Sequence, residues 1–385
     1  MAGDDNPAIY SHEKTLYYLK RIASVTRATT YRRAMRQFGS LLPEGGVLNC
    51  GVGPRLEFDE TKTIALMPPT HTFSGERHEM TISGMKLVLV HAPGETPDQI
   101  YEVLTNYRDA IQFVHDQTIQ LMNKGLTPLE IVERVKLPSH LARQSYLHEY
   151  YGTVAWSVRA IFEGYLGWFS GNASDLFPLP QDERAKRLVD LAGGEQRLTE
   201  KAHQAVAKED YQWALELTDQ LLRINPDSEL VRKLRAAALN ALGSKQIAAT
   251  ARHYYLTRAL EVQNKLHIGM MKLKDKQVVH AGPLDGIFSG MVVNLNPDKS
   301  AAIDTVAGFR FPDTGEAFTV HVRRGMAEIR PQFPVNPDIT LIVDSTVWKE
   351  VVTGFRNPAI ALVKDVDKEG GTLEIVKFLN LFKDD

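Results

Sequence analysis

Only one cysteine, Cys50, occurs in the 385 residues. That excludes an internal disulfide and a zinc knuckle built on several thiolates, and it fits a reducing compartment. An excess of charge of either sign is also missing. Forty-five Lys and Arg stand against 47 Asp and Glu, a formal net charge of -2, so there is no basic footprint of the kind a nucleic-acid binder carries. Long hydrophobic runs are absent too, since no stretch approaches the roughly 18 apolar residues of a membrane span. Met1–Pro7 lacks the basic-then-apolar order of a signal peptide, and the final LFKDD matches no retention or peroxisomal tag. The expectation is a soluble, cytoplasmic protein with no nucleic-acid partner and no membrane span. There is no phosphate loop or dinucleotide fingerprint, and no Ser/His/Asp or Cys/His set stands out, so no catalytic residue is assigned.

What is present is an ordinary globular composition, 43% hydrophobic and 24% charged, long enough for two or three domains. The densest feature runs from Leu141 to Pro180. It holds Tyr146, Tyr150, Tyr151, Trp156, Phe162, Tyr165, Trp168 and Phe169, against an aromatic share of 8% for the whole chain. From Val154 to Phe169 large apolar residues recur every three or four positions, which predicts a helix apolar around most of its circumference. Such a helix is expected to be buried, either in the middle of a domain or between two chains. Gly171-Asn172 and the prolines at 178 and 180 then end it.

Upstream, Thr15 to Arg36 reads as a helix with basic residues interleaved, the pattern of a solvated face. The segment GSLLPEGGVLNCGVGPRLEF follows, in which Gly51 and Gly53 either form a simple loop or let backbone N–H groups approach an anion. Short strands are expected between Thr63 and Val90, with a turn at Ser83-Gly84, ending at His91-Ala-Pro-Gly-Glu95. Tyr107 to Met122 is amphipathic, with Tyr107, Ile111, Val114, Thr118 and Leu121 on one stripe. Thr127-Pro128-Leu129-Glu130 has the form of a capping box. His115 and His140 have no ligand partner at helical spacing and read as capping or surface residues. Gln196 to Leu260 reads as stacked helical hairpins, with Ala202, Ala205, Tyr211, Ala214, Leu217 and Leu221 placed much as in a tetratricopeptide unit. Beyond Leu260 alternating strands take over (AFTVHVRRGMAEIRP, DITLIVDS), followed by a helix (TVWKEVVTGF). Their alternation predicts a sheet with one wet face.

The run YYGTVAWSVRAIFEGYLGWFSGNASDLFPLP resembles the dimerisation region of the alkyl sulfatases of the metallo-β-lactamase superfamily. RATTYRRAMRQFGSLLP and NPDITLIVDSTVWKEVVTGFRNP resemble its flanks. The resemblance implies an α+β chain in three parts: the remnant of an αββα metallo-β-lactamase domain over 1–103, an all-α TPR-like dimerisation domain over 104–260, and an α+β sterol-carrier-protein-2-like (SCP2-like) domain over 261–385. It also implies the family reaction, zinc-dependent hydrolysis of primary alkyl sulfate esters. Glu95 would be a metal ligand, Gly51 and Gly53 a sulfate loop, and Arg32, Arg33 or Arg36 would face the sulfate. A homodimer is implied, with Trp156, Tyr165 and Trp168 at its interface. The last domain implies a tunnel for the alkyl chain, to be weighed against a filled core.

Two departures from the family pattern bear on activity. None of the twelve histidines is separated from another by a single residue, so the family's His-X-His-X-Asp-His metal cluster is not in this sequence. After PGETPDQI the text passes directly to YEVLTNYRDAIQFVHDQT, which resembles the first helix after the hydrolase domain. The family's intervening block, with its Pro-Gly-His turn, is missing. The expectation is therefore a family member that does not stably hold zinc and is impaired in hydrolysis. The alternative is a non-catalytic dimer that binds alkyl chains or lipid.

Overall fold

The computed structural model of the chain describes residues 8–53, 69–82, 85–90, 101–269 and 276–382. Two compact units emerge, one from residues 1–31, 60–94 and 270–385 and the other from 32–59 and 95–269. Glu95, the expected turn at Ser83-Gly84 and the strand expected near Ile64 lie outside the described residues.

In the first unit a five-stranded sheet has the order Met326–Arg330, Glu316–Arg323, Asp304–Phe311, Ile339–Val343, Val366–Glu369. All neighbours are antiparallel except Asp304–Phe311 and Ile339–Val343, which run parallel. Helices Leu284–Val293, Ser345–Thr353 and Thr372–Asn380 cover this sheet through an aromatic core. Phe288 is fully buried, stacked on Phe318 at 4.3 Å and edge-on to Phe309 at 5.1 Å. Asp344 caps the helix that carries Trp348, and Gly354, in the left-handed region at φ 82°, closes it.

The wet face expected of this sheet is not found on its central strands. Ile339, Thr340, Leu341 and Val343 are all buried. The segment around Phe333 folds over the second face at Gly308, where an added Cβ would lie 2.7 Å from the Phe333 ring. Arg310 stacks on that same ring at 4.1 Å. A glycine in the central strand is what lets the ring approach so closely.

Two small pairings belong to the same unit. Tyr10–His12 lies parallel to His71–Phe73, and Arg77–Ile82 pairs antiparallel with Met85–Val90. Helix Glu13–Ala23 is tied to helix Leu284–Val293 by Lys20 and Asp285, 2.6 Å apart.

The second unit is helical. Tyr101–Met122, Pro128–Arg134 and Val154–Leu166 pack around Val114, Ile131, Val135, Val158 and Phe162. The capping box at Thr127 is present: its hydroxyl accepts from the Glu130 N–H, and the Glu130 carboxylate accepts from the Thr127 N–H at 2.8 Å. Five helices then follow in succession: Gln181–Leu191, Glu195–Ala207, Tyr211–Ile224, Glu229–Lys245 and Ala249–Val262. Ala202, Ala214 and Ala238 sit at their crossings with no exposed surface. Small side chains there allow close helix approach, as the hairpin pattern requires. Among the described residues no helix is long and apolar enough to cross a membrane.

Candidate functional site

Two places in the helical unit gather the residues singled out by the sequence. The first is where the glycine loop meets the aromatic segment and the last helix. Gly51 adopts φ +86°, and a Cβ there would lie 2.7 Å from the Tyr150 carbonyl oxygen. That carbonyl accepts from the Ala249 N–H at 2.8 Å, and the Thr250 hydroxyl donates to the Tyr151 carbonyl. The Gly51 N–H donates to Asn49 Oδ1 at 2.9 Å. Gly51 is thus required by a close approach and by its backbone angle, and its amide is already engaged. Gly53 is exposed with open space around it, and its carbonyl accepts from the Cys50 N–H at 3.1 Å.

A contrast between the two glycines follows. Gly51→Ala is expected to cost about 1–3 kcal/mol, from the strained φ and the contact with Tyr150. Gly53→Ala should stay within about 0.5 kcal/mol of the parent. Urea unfolding of the two variants checks this, and equal effects would remove the packing role of Gly51.

The three arginines separate. Arg32 and Arg33 are exposed on helix Arg27–Gln37. Arg36 is instead taken by Glu261, with Nε and Nη2 each 2.8 Å from a carboxylate oxygen. The bidentate hydrogen bond to Glu261 raises the Arg36 pKa against the opposing effect of burial. For Glu261, burial pushes the carboxyl up, but Arg36 and Arg258 together outweigh it and leave the pKa below the ordinary value. His253, on the same helix as Glu261, is fully buried and donates from Nδ1 to the Gln37 carbonyl at 3.2 Å. Burial lowers its pKa, which favours the neutral ring. Sequence reading passed over Glu261 and His253. Arg258, three residues before Glu261 and 3.2 Å from it, was the only local signal.

The second place is the face of helix Val154–Leu166. Val158 and Phe162 are buried, as expected for a core helix, but Trp156, Tyr165 and Leu166 are exposed, and so is Trp168 just beyond the helix. Complete burial of this run within the chain is therefore corrected: one side packs and the other is uncovered. On the neighbouring helix, Val114 and Thr118 of the expected stripe are buried while Tyr107 and Ile111 are exposed. His115, one turn after Ile111, bridges the two helices. Its ring nitrogens lie 2.9 Å from the Tyr165 hydroxyl and 2.8 Å from Asp116. The Asp116 carboxyl is held below its usual range, first by that contact with His115.

Among the described residues no group of three or more His, Cys, Asp or Glu side chains converges as metal ligands would. Those residues do not fit a zinc ion, which needs at least three ligands and an open position in a hydrolytic site.

Comparison with known proteins decides the family. Residues 127–265 match the alkyl sulfatase dimerisation model and residues 272–384 the alkyl sulfatase C-terminal model. A linear primary-alkylsulfatase of a Pseudomonas species is 32% identical over 97% of this chain and 85% of its own length. The chain belongs to the alkylsulfatase family. An alkyl/aryl-sulfatase of Saccharomyces cerevisiae is 29% identical, aligned over 76% of this chain but only 46% of the yeast protein. The fold is that of a solved alkylsulfatase: the stereoselective inverting sec-alkylsulfatase Pisa1 from Pseudomonas superposes with a TM-score of 0.86 at 22% identity, covering 98% of this chain and 70% of Pisa1. The alignment with the primary alkylsulfatase runs over 456 positions, more than the 385 residues present here. That relative therefore carries internal sequence with no counterpart in this chain.

Proposed function

We propose that this chain is a homodimeric alkylsulfatase-family protein directed at long-chain primary alkyl sulfates, with the hydrolytic step impaired. The observation that carries the reading is the internal stretch of the primary alkylsulfatase that finds no counterpart here. Losing most of a metal's ligands also removes the low-pKa water that attacks the ester. Glu95 alone would be a remnant ligand. The dimer part of the reading is supported by the match to a dimerisation model and by the uncovered face carrying Trp156, Tyr165 and Trp168. Aromatic side chains there would supply most of the association energy.

Incubating the full chain with dodecyl sulfate and added zinc tests the catalytic part. After dialysis the protein should hold well under one zinc per chain, and sulfate should accumulate no faster than in a protein-free control. Stoichiometric zinc that resists dialysis, together with sustained sulfate release, would overturn the impaired reading.

A second reading is a non-catalytic dimer that binds alkyl chains or lipid through residues 261–385. The burial of Phe288, Phe309 and Phe318 between its sheet and helices supports a filled core over a tunnel, so we place this reading second.

A further inference from the structure

Helix Ala249–Val262 carries a histidine that has no exposed surface and uses only one of its two ring nitrogens. His253 Nδ1 donates to the Gln37 carbonyl at 3.2 Å, while Nε2 has no hydrogen-bond partner among the described residues. The hydroxyl of Thr257, one turn further along the helix, is buried and unpartnered in the same way. Gly39 makes room for the ring: it adopts φ +62°, and a Cβ at this position would lie 3.0 Å from His253 Cγ.

The segment that meets this helix is fastened to it at three points. Arg36 holds Glu261, Gln37 and Gly39 meet His253, and Gly51 rests against Ala249, where an added Cβ would lie 3.3 Å from the alanine side chain. Between the last two points Leu42 and Cys50 are 5% and 3% exposed. Only the middle fastening titrates near neutral pH. The Glu261 carboxyl is held below the ordinary glutamate range, so the first keeps its charges in mild acid. The third joins uncharged groups.

The surroundings of His253 oppose a proton. Burial outweighs the Gln37 carbonyl, which favours the charged ring, and Arg252 adds to the opposition. Nearby charges are engaged elsewhere. Glu261 holds Arg36 and Arg258, Arg235 and Lys245 of the adjoining helix Glu229–Lys245 pair with Asp219 and Glu209, and Glu149 accepts from the Val154 N–H. His148 is exposed beside the Tyr150 hydroxyl, and Glu44, the only charged residue between Phe38 and Cys50, is exposed too.

We propose that His253 is a proton-operated latch: protonating its imidazole releases residues 37–51 from helix Ala249–Val262 while the other helices of the unit stay packed. Once released, the ring has the ordinary histidine pKa of about 6.5 and takes up the proton first as the pH falls. The closed state is therefore fully favoured above about pH 6.5 and loses ground below it.

Cys50 reports on the latch, because it is the only cysteine and lies inside the released segment. Its labelling by 4,4′-dithiodipyridine, which reacts with thiols in mild acid, is followed in the full chain at pH 7 and pH 5 and divided by the rate for the urea-unfolded chain at the same pH. The normalised rate should rise at least threefold at pH 5. His253→Asn, whose amide donates to Gln37 in place of Nδ1 but takes up no proton, should remove the rise. A flat rate in the parent, or an equal rise in the variant, would overturn the latch. Hydrogen exchange of the parent, corrected for the intrinsic effect of pH, decides the case in which the variant does not fold. Protection lost at pH 5 over residues 38–50 alone supports the latch; protection retained there, or lost equally over helix Tyr211–Ile224, overturns it.

Discussion

A chain carrying Phe288→Ala is expected to lose about 3–5 kcal/mol of stability in its sheet-containing unit, the cost of deleting a large buried aromatic whose surroundings relax only partly. Phe288 has no exposed surface and touches the rings of Phe309, Phe311, Phe318 and Trp348. Four rings on one side chain leave little freedom to collapse into the space, which places the cost toward the upper end. Thermal unfolding followed by tryptophan fluorescence reads it, because Trp348 lies in the same cluster. A loss under about 1 kcal/mol would mean that the core is not packed as described. The variant also separates tunnel from filled core. Each buried methylene contributes about 0.8 kcal/mol, so a protein with an existing tunnel should bind a C8 to C16 series of alkyl sulfates ever more tightly with chain length. A filled core gives a flat series in the parent and a rising one only once Phe288 has been removed.

The second large effect concerns Glu350, a carboxylate that is 5% exposed. Its Oε1 accepts from Lys276 Nζ and from His280 Nε2, each at 3.1 Å, and its Oε2 accepts from Arg356 Nε at 3.0 Å. The hydrogen bond from Lys276 is the strongest influence. Despite the opposing cost of burial, and with help from Arg356 and His280, it lowers the Glu350 pKa to about 2. The unfolded chain, with an ordinary glutamate near 4.5, binds the proton first as the pH falls. The stabilisation is therefore complete above about pH 4.5 and is lost as the pH falls toward 2. Glu350→Gln should flatten the dependence of stability on pH across that window. At pH 7 it should cost about 1–3 kcal/mol, less than for a fully buried pair because Lys276 and Arg356 reach solvent. Denaturant titrations of parent and variant at pH 7, 4.5 and 3 measure both. Parallel pH profiles would remove Glu350 as the acid-sensitive group. Lys349, its neighbour, is also buried and donates to the His280 carbonyl at 2.7 Å. Burial lowers the Lys349 pKa. Together these contacts clamp helix Lys276–Ala281 against helix Ser345–Thr353.

Local signals in the chain were read well where local physics decides. The capping box at Thr127 and Glu130 and the alanine-rich hairpins from Glu195 onward depend on residues within a turn or two of each other, whereas the aromatic helix stops at Leu166 with Gly167 as its cap, short of the expected end at Gly171. The candidate site was less legible. Arg36 is one of several arginines on a basic helix, and nothing near it in sequence marks it as the one that meets Glu261, 225 residues away. Gly51 looked suited to an anion loop, yet its conformation answers to the Tyr150 carbonyl, almost a hundred residues further on.

Sequence alone determined the order of helical and sheet segments, because periodicity and caps are properties of the chain as written, and its resemblance to the alkyl sulfatases implied the α+β class, the family and the departures from the family's metal pattern. Only the tertiary structure decided what each apolar face meets. It left Trp156, Tyr165, Trp168 and Phe177 in solvent, and it laid the Phe333 ring over Gly308 of strand Asp304–Phe311. It buried Lys349 and Glu350 in the middle of a helix by bringing their partners from positions 276, 280 and 356. Burial sums contacts from distant parts of the chain, whereas a hydrophobic pattern records which residues need cover and not what supplies it.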